Sequence, residues 1–133
     1  QTCALPIYTR SHAESFVCDQ AGELLANAII DARSGEPAGM AGIHHITDGV
    51  ATVGYWVAPW ARRRGAASTA MRILPSLAAR LGVVRSVRAT IAETNAASRR
   101  TAERAGFTLV GPGSEQCPDG ACQVAGLVYR LNL

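Results

Sequence analysis

Residues 54–81, GYWVAPWARRRGAASTAMRILPSLAARL, join a strand, an arginine- and glycine-rich turn and a helix in one continuous stretch. Tyr55 to Val57 are aromatic and β-branched, as strand residues tend to be. Pro59 lacks the N–H that a strand ladder needs, so we expect the strand to end before it. A strand–turn–helix unit directs several backbone N–H groups and the positive end of a helix dipole at one point. That arrangement suits a phosphate or pyrophosphate.

The turn itself, residues 62–68, has the composition of an anion-binding loop. Gly65 can adopt backbone conformations that other residues avoid, and it lets an anion approach closely. We expect the N–H groups from Arg63 to Ser68 to form a nest, with neighbouring guanidinium groups adding charge-assisted bonds. The loop has neither the Gly-Lys-Ser/Thr of a Walker A motif nor the GxGxxG of a dinucleotide-binding turn. A plain helix start with three solvated arginines is the alternative that this turn alone leaves open.

A second motif, NAASRRTAERAGF, occupies residues 95–107. Together the two motifs resemble the GNAT superfamily of acetyl-CoA-dependent N-acyltransferases, most of all the branch that acetylates ribosomal-protein N-termini at alanine or serine. The family loop, [Arg/Gln]-x-x-Gly-x-[Gly/Ala], matches residues 62–67, and the hydrophobic-x-Pro before it matches residues 57–59. The later family block, Asn-x-x-[Ser/Ala] and a helix ending in Gly-Phe, matches Asn95, Ser98 and residues 106–107. The resemblance covers residues 24–133.

The resemblance implies an acetyl-CoA-dependent N-acetyltransferase. The acceptor would be a primary amine, either a protein N-terminus or a small molecule, that attacks the thioester directly. The pyrophosphate of acetyl-CoA would lie on the nest, and the pantetheine arm would lie where the sheet splays between two central strands. The residues implied to bind acetyl-CoA are Trp56, Val57, Arg62, Arg63, Arg64, Gly65, Ala66, Ala67, Ser68 and Asn95.

The catalytic positions of the family are matched only in part. Ser98 is similar to the residue proposed to protonate the departing thiolate in the ribosomal-protein branch, so it is the catalytic candidate. Many relatives carry Glu five residues before the Asn and Tyr in the later helix, where this chain has Thr90 and Ala102. His44 and His45 are adjacent on an expected strand, so we expect them to face opposite sides of the sheet. Each is either a proton relay or an ordinary packed or surface histidine, and the general base is not identified.

These departures leave a second interpretation, a non-catalytic or inactive truncated acyl-CoA-binding domain. A third interpretation starts from the charge distribution. All 13 basic residues are arginine, and ten of them lie between Arg62 and Arg104 against only Glu93 and Glu103. Such a basic surface attracts polyanions, but the aromatic stacking residues of nucleic-acid-binding modules are few. We therefore predict no nucleic-acid partner.

Length and composition favour one domain, residues 1–133, with a net charge of +3. The sequence contains neither an apolar run of membrane-spanning length nor a signal-peptide pattern, which predicts a cytoplasmic protein with no membrane partner. The spacing of Cys3, Cys18, Cys117 and Cys122 matches no paired zinc pattern, so we predict no metal. We expect Cys117 and Cys122 to stay thiols in a reducing cytosol, with a disulfide as the alternative. Either a monomer or a homodimer is consistent with the chain.

The beginning of the chain fits the family less well. GNAT domains usually begin with a strand and two helices, and we interpret most of that opening as missing. Residues 12–18 read as the tail of a helix. Residues 3–7, CALPI, resemble translated sequencing adapter, and one interpretation is that residues 1–11 are not native to the fold.

The remaining pattern predicts an α+β, three-layer fold with a mixed, mostly antiparallel sheet and helices packed on it. The expected order is β-β-β-α-β-α-β-β, with strands at 24–32, 38–46, 50–57 and 83–92, helices at 66–81 and 95–105, and a last hairpin pairing 107–110 with 127–131. Asp48-Gly49 is a strong hairpin signal. Asn95 is a good N-cap for the second helix, a role that can coexist with acetyl-CoA binding. Apolar residues at i, i+4, i+7, i+8 and i+11 predict one buried stripe on the first helix, formed by Ala70, Leu74, Leu77, Ala78 and Leu81. Pro75 lies inside this helix, which predicts a kink or a break into two pieces.

Overall fold

The computed structural model describes residue 11, residues 25–116 and residues 122–133. Its strands are β1 Leu25–Ile30, β2 Pro37–Thr47, β3 Val50–Val57, β4 Ser86–Ala92, β5 Thr108–Gln116 and β6 Gln123–Asn132. Its helices are α1 Ala66–Ala79 and α2 Ala96–Arg104, and a 3₁₀ turn, Pro59–Ala61, follows β3. The predicted order of elements from the first strand onward is confirmed. The predicted helix tail at residues 12–18, Cys117 and the turn at 118–120 lie outside the described residues.

The strands form one six-stranded sheet in the order β1-β2-β3-β4-β6-β5. All neighbours are antiparallel except β3 and β4, which run parallel. The β2–β3 hairpin turns at Asp48 and Gly49, which have φ angles of 51° and 76°. Two consecutive positive φ values are what a tight hairpin matched to the strand twist requires, so the predicted turn is confirmed.

The sheet opens between its two central strands. β3 and β4 pair only at Val50 with Ser86, Ala51 with Val87 and Thr52 with Arg88. Beyond these pairs β3 continues to Val57 beside β2, and β4 continues to Ala92 beside β6. Residues 53–57 therefore have a partner strand on one side only, and the predicted splay is confirmed. This opening between β3 and β4 is called the gap below.

Both helices pack on one face of the sheet around a single apolar core. The core joins Ile43 and Val53 of the sheet to Met71 and Leu74 of α1 and to Phe107 after α2. The Phe107 N–H also donates to the Ala102 carbonyl at 3.1 Å, as a C-terminal stop at Gly106 predicts. The two helices thus hold their N-termini on the same side of the sheet.

Helix α1 departs from its predicted form in two ways. Its buried residues are Ala70, Met71, Leu74, Pro75 and Ala78, whereas the predicted members Leu77 and Leu81 are half-buried and 47% exposed. The helix also runs without a break through Pro75, so the prediction of two pieces is wrong. Because the proline ring is buried in the core, its apolar burial offsets part of the cost of the missing N–H.

The two histidines of β2 lie on the same side of the sheet, and the prediction of opposite sides is wrong. The β2–β3 register shifts between Ile43, which pairs with Val53, and His45, which pairs with Thr52. Such a bulge interrupts the alternation of side chains, so Ile43 and Ile46 both reach the core while the residues between them turn away. His44 Nε2 then occupies the space beside Gly54, 2.5 Å from where a Cβ would lie.

Cys122 is disulfide-bonded, contrary to the expectation of a free thiol. The other three cysteines, Cys117 among them, lie outside the described residues.

Candidate functional site

A cleft of about 680 Å³ lies between the end of β3, the turn before α1 and the first turns of α2. It brings together all the site residues predicted from the sequence except Arg64. The predicted residues that line it are Trp56, Val57, Arg62, Arg63, Gly65, Ala66, Ala67, Ser68, Asn95 and Ser98. Two motifs far apart in the chain, residues 62–68 and residues 95–107, thus meet in one place because both helices begin at the same end of the sheet.

The turn at the floor of this cleft has the backbone of an open helix start. Gly65, with φ 86°, is the N-cap of α1 and provides no side-chain cap. The first bond of the helix runs from the Thr69 N–H to the Gly65 carbonyl at 2.9 Å. The N–H groups of residues 66–68 therefore precede any intrahelical acceptor and point out of the helix end. No atom lies within 4 Å of where a Gly65 Cβ would be, so the space above the helix end is open.

The three arginines of the turn have different surroundings. Arg62 Nε donates to the Val57 carbonyl at 3.1 Å, which closes the turn onto the end of β3. Arg63 is exposed at the cleft with φ 63°, a left-handed conformation that non-glycine residues adopt at a cost. Arg64 points away and forms an ion pair with Asp31 at 3.4 Å. Its side chain lines a separate cavity between β1 and α1, so the structure does not bring it to the cleft.

The gap-facing edge of β3 differs from the expectation at one residue. The Trp56 carbonyl lies directly against Gly39 of β2, where it would collide with any Cβ. The Ala58 N–H likewise bonds the Ala38 carbonyl at 2.7 Å. Because alternate residues of an antiparallel strand direct their backbone groups to opposite sides, Tyr55 and Val57 are the residues whose backbone groups face the gap.

Four further residues with polar side-chain groups line the cleft and were not predicted from the sequence. Tyr55, Arg100, Thr101 and Arg104 all line it. Arg100 and Arg104 are four residues apart, one helical turn, so they share a face of α2. Together with Arg62 and Arg63, they line the cleft with guanidinium groups. None of the lining residues carries a carboxylate. The helical spacing was readable in the sequence, but it could not show which way that face of α2 points.

Asn95 and Ser98 lie at the N-terminus of α2. Asn95 Oδ1 accepts a hydrogen bond from the Ser98 N–H at 3.1 Å, so the predicted cap is confirmed. The Ser98 hydroxyl in turn accepts a hydrogen bond from the Tyr55 hydroxyl at 3.1 Å. Ser98 is therefore held at its backbone by its own helix and at its side chain by the central strand β3.

The opposite face of the sheet carries a half-buried carboxyl group beside small residues. Burial raises the pKa of Glu115 above its ordinary value, and the nearby charge of His44 opposes that rise. Thr90, which stands at the position of the family's Glu, has its methyl group close to Gly113 and Gly126. Ala102, at the position of the family's Tyr, is fully buried in the core and has no access to the cleft.

Tyr129 is a core residue and does not line the cleft. It is fully buried, and its hydroxyl donates to Glu103 Oε1 at 3.1 Å and accepts from Arg99 Nε at 3.3 Å. The hydrogen bond to Tyr129 is the largest cause that raises the pKa of Arg99. These contacts attach α2 to β6.

Within the described ranges, no three His, Cys, Asp or Glu side chains are grouped as a metal ion would require. In the same part of the chain, no helix has the length and apolar character needed to cross a membrane.

Comparison with known sequences identifies one family. A family model described as an acetyltransferase (GNAT) domain matches residues 6–108, more than half of the chain. No curated protein matches the chain.

Comparison with solved structures shows the same fold. A protein from Vibrio cholerae assigned as a ribosomal-protein-serine acetyltransferase is 18% identical, with a TM-score of 0.72 over 92% of this chain and 70% of that one. The microcin C7 self-immunity acetyltransferase MccE, solved with acetyl-CoA and AMP, is 22% identical, with a TM-score of 0.69 over 91% of this chain and 67% of that one. A protein from Bordetella pertussis assigned to the GNAT family is 28% identical, with a TM-score of 0.70 over 92% of this chain and 76% of that one.

Proposed function

This chain belongs to the GNAT acetyltransferase family, and we propose that it is an acetyl-CoA-dependent N-acetyltransferase that transfers the acetyl group to a primary amine. One observation carries the proposal. A single cleft contains the N-terminus of α1, which has no side-chain cap and has arginines around it. The same cleft contains the edge of β3 that has no partner strand and a serine hydroxyl that is hydrogen-bonded to Tyr55. A molecule with a diphosphate at one end and a thioester at the other suits this cleft, with the diphosphate at the helix N-terminus and the thioester beside the strand edge and Ser98.

The diphosphate of acetyl-CoA would bind at the turn before α1. The N–H groups of residues 66–68 and the N-terminal end of the helix dipole favour an anion there. Arg63 is exposed beside them, and Arg100 and Arg104 face the same cleft from α2. Because no carboxylate lines the cleft, these positive charges meet no counter-charge among its lining residues. They are suited to charge-assisted bonds with phosphate oxygens.

The pantetheine arm would lie along the gap-facing edge of β3. Residues 53–57 have no partner on the β4 side, and an extended amide chain can pair with such an edge. The Val57 carbonyl already accepts from Arg62, so Tyr55 is the gap-facing residue with no backbone bond to the turn. Asn95 and Ser98 flank the other side of the same cleft.

The reaction requires a neutral amine to attack the thioester carbonyl while the carbon–sulfur bond breaks and the thiolate leaves. A base or a water chain takes the proton of the amine. A backbone N–H of the unpaired β3 edge is suited to the developing oxyanion. Ser98 would protonate the thiolate, as the resemblance to the ribosomal-protein branch implies.

Calorimetric titration with acetyl-CoA and assay of thiol release test the proposal together. The acceptors would be peptides beginning with alanine or serine, and a matched peptide with a blocked N-terminus is the control. We expect saturable binding, and thiol release with a mass gain of one acetyl group only for peptides with a free amine. Absence of acetyl-CoA binding would contradict the proposal.

The second interpretation, a non-catalytic acyl-CoA-binding domain, has its own supporting observation. Thr90 and Ala102 replace the family's carboxylate and tyrosine, and Ala102 is buried away from the cleft. Tight acetyl-CoA binding without thiol release over peptides, amino acids and small amines would favour this interpretation.

A further inference from the structure

Tyr55 is tied to Ser98 across the cleft, and neither sequence motif includes this tyrosine in a functional role. The two residues are 43 positions apart, one on β3 and one in the first turn of α2, and their hydroxyl oxygens are 3.1 Å apart. Both side chains are half-buried, and both line the cleft. The contact therefore lies at the candidate site, with Tyr55 also packed against the core beneath it.

Two hydroxyl groups at this distance can share a hydrogen bond in either direction, and donation by Tyr55 leaves the serine proton available. With Tyr55 as the donor, the Ser98 oxygen receives one hydrogen and its own hydroxyl hydrogen can point to a third atom. The Asn95 cap fixes the backbone of the same residue at 3.1 Å. Ser98 is thus oriented from two sides, and the remaining open direction is the cleft.

Acid strength explains why a serine in this position needs a partner. An alkyl hydroxyl is a much weaker acid than a thiol, so a serine alone cannot leave its proton on a thiolate. A phenol, with an ordinary pKa of about 10, lies within two pH units of a thiol at about 8.5. A tyrosine that gives its proton to the serine oxygen, as the serine proton moves to sulfur, makes the phenol the effective acid. The difference in acidity from the thiol is then much smaller.

We propose that Tyr55 and Ser98 form a two-hydroxyl proton relay that protonates the thiolate of coenzyme A as it departs. The proposal rests on the acetyl-transfer function above and names the groups that complete its last step. The electron pair of the broken carbon–sulfur bond stays on sulfur. The Ser98 proton moves to sulfur, the Tyr55 proton moves to the Ser98 oxygen, and the tyrosinate regains a proton from solvent in the open cleft. Ser98 is the catalytic residue, and Tyr55 acts through it.

The relay is testable without knowing the acceptor, because coenzyme A is a product of the reaction. Hydroxyl donation to the sulfur stabilises the thiolate, so it lowers the pKa of the bound thiol. Ultraviolet absorbance of the thiolate during a pH titration of the binary complex measures that pKa directly. The variants are Tyr55→Phe, Ser98→Ala and the double variant, with Tyr129→Phe as the matched control because it removes a buried tyrosine hydroxyl outside the cleft.

We expect Ser98→Ala to raise the pKa of the bound thiol by about one pH unit, the size of one hydrogen bond to a charged group. Tyr55→Phe should raise the same pKa by a smaller amount, because Tyr55 bonds to Ser98 and not to the sulfur. The double variant should match Ser98→Ala alone, because Tyr55 acts only through Ser98. Tyr129→Phe should leave the thiol pKa unchanged. Thermal melts would verify that each protein is folded.

Two outcomes would overturn the relay while the cofactor assignment stands. One is a thiol pKa in Tyr55→Phe equal to that of the wild type, and the other is a fully additive shift in the double variant. Absence of coenzyme A binding to the folded wild type would instead overturn the proposed function and the relay with it.

Discussion

Arg62 and Val57 are joined across the turn that precedes α1, where Arg62 Nε donates to the Val57 carbonyl at 3.1 Å. The bond fixes the end of β3 to the start of the arginine-rich turn, and it occupies one donor of a side chain that the motif assigns to the ligand. Arg63 has its side chain exposed at the cleft, so it is the arginine of the turn that we expect to contact a bound anion most directly. This division of roles among adjacent arginines leads to the first prediction.

Arg63→Ala should lower the affinity for acetyl-CoA about tenfold or more, because a hydrogen bond to a charged group contributes about 1.5–3 kcal/mol. The melting temperature should change little, since the side chain is exposed. Calorimetric titration measures the affinity, and Arg72→Ala on α1 is the control, an exposed arginine that does not line the cleft. Equal losses in the two variants would show that only general charge attraction is involved.

Gly65→Val should abolish acetyl-CoA binding and leave the fold intact. The Cβ itself has open space, but the branched side chain would stand over the helix end, where we propose that the diphosphate binds. The left-handed backbone adds a strain of about 1–2 kcal/mol. Gly82→Val is the matched control, because Gly82 also has a positive φ of 73° and open space but lies beyond the far end of α1.

Both variants should therefore lose similar stability in thermal melts, and only Gly65→Val should lose affinity. Unchanged affinity in Gly65→Val would remove the turn from the binding site.

Substitutions of Asn95 separate its role as the cap of α2 from its proposed role in binding the pantetheine arm. Asn95→Ala removes the cap seen at 3.1 Å and should cost about 1 kcal/mol of stability. Asn95→Asp keeps a capping oxygen, so stability should be retained while the amide N–H donors are lost. If Asn95 also binds the pantetheine arm, both variants lose acetyl-CoA affinity in calorimetry. Retained affinity in Asn95→Asp would identify Asn95 as a cap alone.

Glu115→Gln should make the protein more stable at neutral pH. Burial raises the folded-state pKa of Glu115 above its ordinary value, so the ionised carboxylate disfavours folding. The cost is absent below the unfolded-state pKa and grows as the pH rises through the folded-state pKa. Chemical denaturation of wild type and variant should therefore agree near pH 3 and diverge toward pH 7. Glu36→Gln, at an exposed turn, is the control, and a difference independent of pH would contradict the argument.

Predictions from the sequence are accurate for features that depend on interactions between neighbouring residues in the chain. The strand at Val50–Val57 has the predicted bounds, and the hairpin at Asp48-Gly49 and the cap at Asn95 form as expected. Each depends on the backbone preferences of a few adjacent residues. The two motifs also indicate acetyl-CoA as the ligand through the family they resemble, although the acceptor leaves no comparable signature.

The errors concern long-range packing. Pro75 predicts either a kink or a break, and the break does not occur: α1 is continuous, with Pro75 buried in the core. His44 and His45 should alternate on an ideal strand, but a bulge set by pairing with β3 turns both away from the core. Tertiary context overrides the local preference in each case.

By itself, the sequence determines the order of strands and helices and the turn at Gly65 that opens α1, because glycine and proline act on the backbone of their immediate neighbours. Only the tertiary structure decides which side chains share the cleft. Packing pairs Arg64 with Asp31 in an ion pair and brings Arg104 of α2 to the cleft. It also brings the hydroxyl groups of Tyr55 and Ser98 within hydrogen-bond distance. The physical reason is that these contacts depend on where β3 and β4 separate and how α2 crosses the sheet, and both are set by packing between residues far apart in the chain.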